Sequence, residues 1–159
     1  MIRRGFGLIQ ALIVIVLIGG LMSVVMKYAQ FSIKQTKDLY IKESAELFMQ
    51  SAVELGVLAI EEYDRVANSN CLSTIRVTSS NKRFYADINI TDYFLYDTNS
   101  SSDDYDICKN SQNGYRVHKV DTEDSHGMVM LEIVVETNTS HPKNQNKKIR
   151  LLRRTLQRP

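Results

Sequence analysis

Hydrophobic and polar positions alternate in three different ways along this chain. From residue 6 to residue 26 nearly every side chain is apolar and none is ionisable. As a helix rising about 1.5 Å per residue, that stretch spans roughly 31 Å, close to the hydrocarbon thickness of a bilayer. The pattern predicts a transmembrane helix over residues 6–27. Residues 28–67 hold no proline and a single glycine, and Ala45, Phe48, Ala52, Leu55, Ala59, Tyr63 and Val66 recur every three or four positions, which predicts an amphipathic helix with a core-facing stripe. In its earlier half Lys34, Asp38, Lys42 and Glu46 alternate in sign at a spacing of four, so each neighbours the next on a face that is solvated or meets a partner's charges. Only Gly19 and Gly20 interrupt the two stretches, and one helix is expected from residue 6 to about residue 67, a rod on the order of 90 Å. It should stop near "ANSNC", where asparagine and serine compete with the helical backbone for hydrogen bonds.

Beyond that point the period becomes two. Residues 73–79, 83–90, 115–120 and 128–137 are expected to be strands, the last with Val129, Leu131, Ile133 and Val135 on one face. Residues 148–158 suit a final strand or a short helix. The segments "YDTNSSSDDYD" and "TNTSHPKNQN" have the composition of polar loops. The fold class is therefore α+β: a long N-terminal helix, one half transmembrane and one half amphipathic, packed on a small antiparallel β-sheet within residues 68–159.

Composition adds little until it is divided along the chain. With 159 residues, 43% hydrophobic and 24% charged, the average is that of one globular domain with an appendage. Arg3 and Arg4 precede the apolar run and the next charge is Lys27, which keeps the extreme N-terminus cytoplasmic although Lys27, Lys34 and Lys37 weaken the contrast. A discarded secretory signal fits less well, because its apolar stretch is about 7–15 residues and ends at a small-x-small site. The net charge of +2 does not point to an acidic partner: the 20 basic residues less Arg3 and Arg4 leave 18 against 18 acidic ones. Cys71 and Cys108 suit a single disulfide in an oxidising compartment, the alternative being two unrelated buried thiols.

Arg3, Arg4, Gly5, Phe6, Leu8, Ile9 and the apolar run from Ala11 onward, followed by a helix and a terminal sheet, resemble the type IV pilin family, including the pseudopilins of type II secretion and of DNA uptake. The family pattern is a basic leader ending in glycine, a phenylalanine that becomes the new N-terminus, and a glutamate four residues later. This sequence departs from it at Gly7, where serine or threonine is usual, and at Gln10, which stands in the glutamate's place. The resemblance implies a leader over residues 1–5 cut between Gly5 and Phe6 by a prepilin peptidase, often with methylation of the new amine. It also implies assembly through the N-terminal helix with other pilins or pseudopilins on an inner-membrane platform. An unpaired amine in the bilayer is costly. Gln10 can accept a hydrogen bond from it but offers no charge, so subunit pairing should be weaker than in a major pilin, as suits a minor subunit near a tip or priming complex. The expected location is a bacterial inner membrane, crossed once, with the C-terminal domain in the periplasm.

Other chemistry is sparse. Asp97, Asn99, Ser101 and Asp103 could present oxygens to calcium, but Ser102 and Cys108 stand where an EF-hand needs glycine and glutamate, and a solvated loop is the favoured reading. His118, His126 and His141 have no second ligand at useful spacing, so no metal site and no cofactor are expected. No nucleophile elbow, phosphate loop or carboxylate pair appears, and an enzyme is not expected. Lys147, Lys148, Arg150, Arg153, Arg154 and Arg158 form an acid-free basic terminus that would attract DNA. A charged edge strand is preferred over that use. Two alternatives to the minor pilin reading stand beside it: a DNA-binding competence pilin using this terminus, and an uncleaved signal-anchored envelope binding protein.

Overall fold

The computed structural model describes residues 6–97, 104–110, 114–142, 144 and 148–159. The chain divides into two compact units, Met1–Lys42 and Glu43–Pro159. Helix α1, Phe6–Glu62, contributes to both.

In the first unit every described residue from 7 to 40 is exposed. Nothing in this unit covers the apolar side chains, because a single helix has no second surface to bury them against. The division at Lys42 lies within the predicted amphipathic stretch rather than at its start, since residues 28–40 are as exposed as those before them.

The second unit is a helix laid on a sheet. Strands β1 (Thr74–Thr78), β2 (Phe84–Tyr96), β3 (Arg116–Val120), β4 (Met128–Thr137) and β5 (Arg150–Gln157) form one five-stranded sheet. Its order is β1-β2-β4-β5, with β3 also on β2. Strand β4 covers one side of β2 from Phe94 to Phe84. Strand β1 pairs antiparallel with residues 85–89 and β3 pairs parallel with residues 92–96, so β1 and β3 lie end to end along the opposite side. The expected antiparallel sheet is present, with β3 as its one parallel addition. The final segment forms a strand and not a helix.

The core lies between α1 and the face carrying Phe84, Ala86, Ile88, Ile90, Tyr93, Leu95, Val129, Leu131, Ile133 and Val135, each at most 3% exposed. Alternation along β4 matches its predicted inner face. In β2 the alternation shifts: Thr91 is an extra residue between the pairs Ile90/Leu131 and Asp92/Met130. This bulge moves the buried set from even to odd positions, which is why a period of two appeared to end at Ile90 while the strand runs on to Tyr96.

The core stripe of α1 is rotated from the predicted one. Ala45, Met49, Ala52, Gly56 and Ile60 are buried, whereas Leu55 is 45% and Val66 64% exposed. Gly56 belongs to the core because a Cβ there would lie 3.3 Å from Ile88 Cγ2 and 3.8 Å from Leu131 Cδ1. Phe48 stacks on Phe84 at 6.1 Å between ring centroids. The helix also ends earlier than residue 67. The Asp64 side chain accepts a hydrogen bond from Ala67 N–H at 2.9 Å and caps a separate turn, α2 (Arg65–Asn68), so its carboxylate takes over donors that a continuing helix would have used internally.

Part of the predicted loop before β3 is helical: α3, Asp104–Asn110, carries Cys108. Cys108 is disulfide-bonded to Cys71, with Cα atoms 5.2 Å apart and both residues buried. The Tyr93 hydroxyl beside this bridge donates to Leu72 O at 2.6 Å, and the ring meets Tyr115 edge-on at 5.1 Å. Burial of Tyr93 raises its phenol well above the ordinary value.

Candidate functional site

The N-terminal part of α1 is the most distinctive surface. Between Leu8 and Met26 every large apolar side chain is at least 50% exposed, and no Asp, Glu, Lys or Arg interrupts the run. By length and composition this helix can cross a membrane. Gln10 is exposed on it and is the only amide before Gln30. Gly7, Gly19 and Gly20 have open space where a Cβ would sit, and the Ser23 hydroxyl donates back to Gly19 O at 3.0 Å. A side chain that satisfies its polar atom within its own helix, next to glycines, leaves a smooth patch for close approach of another helix. Phe6 is the first residue of α1. Gly5 and the leader lie outside the described residues.

In the second unit, the sheet face turned away from α1 is tiled with ion pairs. Arg76 holds Asp87 through two bonds of 2.5 and 3.0 Å. The Tyr85 hydroxyl donates to Glu136 Oε2 at 2.5 Å, a bond that raises the phenol's pKa, and Arg150 approaches the same carboxylate at 3.2 Å. These residues border a shallow polar cleft shared with Thr78, Asn89 and Asn138. Each charge is answered by a neighbour, and the cleft presents no group poised for proton transfer.

The bulge at Thr91 creates the most enclosed of these clusters. It turns Asp92, 7% exposed, toward β3, where Arg116 Nε lies 2.8 Å from Oδ1 and Nη2 3.2 Å from Oδ2. His118 Nε2 is 2.9 Å from Oδ1. Burial alone would raise the Asp92 carboxyl, but the bonds from His118, Thr91 and Arg116 together outweigh it and hold the pKa below the ordinary value. The His118 ring stacks on Phe94 at 5.0 Å. Sequence reasoning missed this cluster because its partners are 24 and 26 residues apart. The break in β2's alternation was the one local signal.

The remaining candidates separate. Asp97 is bonded to Lys119 at 2.8 Å, whereas Asn99, Ser101 and Asp103, the rest of the calcium candidate, lie outside the described residues. Among the described residues no group of three or more His, Cys, Asp or Glu is placed to hold a metal. His126 Nδ1 accepts the Tyr96 N–H at 3.0 Å. In the basic terminus Arg150 and Arg154 are tied to Glu136 and Glu132 on β4, the latter pair at 2.5 Å, which reduces the charge free for DNA. Lys147 lies outside the described residues.

No protein-family model, curated protein or solved structure matches the chain.

Proposed function

We propose that the chain is a minor pilin or pseudopilin, a subunit of a type II secretion, type IV pilus or DNA-uptake filament, acting by assembly near a tip or priming complex. The observation that carries this reading is the juxtaposition along one chain of an ion-free helical surface exposed on all sides and a folded sheet unit with its own core. Such a surface must be covered by lipid or by other helices. Exchange of one cover for the other is the proposed mechanism: the helix is held in the inner membrane until an assembly platform extracts it, and then packs among the helices of neighbouring subunits.

Moving from lipid to helices gains little hydrophobic free energy, because both surroundings are apolar, so packing and interhelical hydrogen bonds decide the outcome. Gly19, Gly20 and the self-satisfied Ser23 favour close packing. Gln10 contributes an amide bond worth about 0.6 to 1.7 kcal/mol in a membrane setting, less firm than a carboxylate opposite the amine of Phe6. The partners are a prepilin peptidase, other subunits and the platform. DNA is not favoured, since Arg150 and Arg154 are already engaged.

Intact-mass measurement and N-terminal sequencing of the protein from its host test the proposal. The expected chain begins at Phe6, with or without a methyl on its amine. A mature chain that keeps Met1, Arg3 and Arg4 overturns it and favours the uncleaved signal-anchored protein.

A further inference from the structure

Strand β5 closes the order β1-β2-β4-β5 and has one neighbour, β4. Which of its backbone groups are spare follows from the ladder. Thr137 N–H donates to Ile149 O at 3.1 Å, and Ile149 N–H donates to Thr137 Oγ1 at 3.0 Å, so this pair bonds across the two strands. The register is unbroken from there to Val129/Gln157. Bonded and non-bonded pairs alternate in an antiparallel ladder. Leu151, Arg153, Thr155 and Gln157 therefore face β4, and Arg150, Leu152, Arg154 and Leu156 turn their N–H and C=O groups to the outer edge. Among the described residues no backbone–backbone hydrogen bond reaches that edge.

A long free edge is ordinarily protected by proline, a bulge, an inward charge or short length. Strand β5 has eight residues, no proline and no register break. Its protection consists of arginine. Two copies of β5 side by side would each bring Arg150, Arg153 and Arg154 with no acid, a like-charge arrangement that disfavours self-pairing. The same charges attract a strand of opposite sign. The side chains of the four edge-facing residues also share one sheet face, where Leu152 is 62% and Leu156 48% exposed between the two arginines, so apolar and cationic positions are interleaved.

We propose that β5 is a docking edge for an extended acidic segment of another protein, which adds a sixth strand by bonding to Arg150, Leu152, Arg154 and Leu156 while its carboxylates meet the arginines and its apolar residues cover Leu152 and Leu156. The inference goes beyond the filament reading and does not depend on N-terminal processing, because it uses only the sheet unit.

The test uses the full chain in detergent micelles and a synthetic eight-residue peptide alternating glutamate and valine. Residue-resolved amide hydrogen exchange is measured with and without peptide. The expected result is slowing of at least tenfold at the amides of Arg150, Leu152, Arg154 and Leu156, little change at the β4-facing amides between them, and weakening by added salt. Methylating alternate backbone nitrogens of the peptide abolishes the slowing without altering its charge. No slowing, equal slowing by a lysine–valine peptide, or undiminished binding of the methylated peptide each overturns the proposal. So does a dimer that protects the same four amides without peptide, which would assign the edge to a second copy. Binding of short duplex DNA without binding of the acidic peptide would likewise refute it and favour a phosphate-binding terminus.

Discussion

Removing the Cys71–Cys108 bridge should cost the sheet unit a large part of its stability. The cysteines are 37 positions apart, and closing a loop of that size constrains the unfolded chain by roughly 4 kcal/mol in the loop-entropy model. The bridge ties α3 to the segment before β1. Cys71 is 2% and Cys108 0% exposed, so substitution also removes buried sulfur, and two perturbations are needed to separate the effects. Reduction of the wild-type chain breaks the cross-link and keeps both side chains; the double variant C71A/C108A removes both. Thermal unfolding in detergent followed by near-ultraviolet circular dichroism, which reports Tyr93 and Tyr115 beside the bridge, avoids the signal of the exposed helix. For a unit of this size the expected drop is on the order of 10–25 °C, most of it already present on reduction. A loss below about 1 kcal/mol on reduction would refute the entropic reasoning. A large loss seen only in the double variant would place the stabilisation in packing instead.

Three further expectations rest on other parts of the molecule. Asp92→Asn should destabilise by about 1.5–3 kcal/mol near neutral pH, since it removes charge-assisted bonds from Arg116 and His118 at a buried site. Because the folded-state pKa of Asp92 is lowered, this contribution is present above the ordinary carboxyl value and fades as pH falls through the folded value; denaturant unfolding of both chains across the acid range should show their difference shrinking there. Gly56→Leu forces side-chain atoms into Ile88 and Leu131 and should cost about 1–3 kcal/mol, whereas Ser51→Leu at an exposed position of the same helix should change stability by less than about 0.5 kcal/mol; urea midpoints compare them, and equal effects would contradict the observed stripe. Gln10→Glu should increase the subunit's incorporation into filaments by supplying the missing charge, measured by its ratio to other subunits in sheared preparations, and an unchanged ratio would remove Gln10 from the assembly argument.

The N-terminal apolar run, the helix after it and the inner face of β4 were legible in the sequence for a shared reason: each is a local periodicity, and burial or exposure of one face repeats at 3.6 or 2 residues whatever the rest of the chain does. Tertiary contacts decided what periodicity leaves open. Leu55 and Val66 fit the helical stripe as well as Met49 and Ile60, and the stripe was set by where Ile88 and Leu131 leave room only for Gly56. The bulge at Thr91 reversed the parity of β2 and aimed Asp92 at β3, a partner fixed by a parallel pairing that no turn signal announces. The opening residues fixed the resemblance on which the assembly proposal rests. The free edge of β5 exists only because the order of strands ends there, a property of the assembled sheet and not of any segment within it.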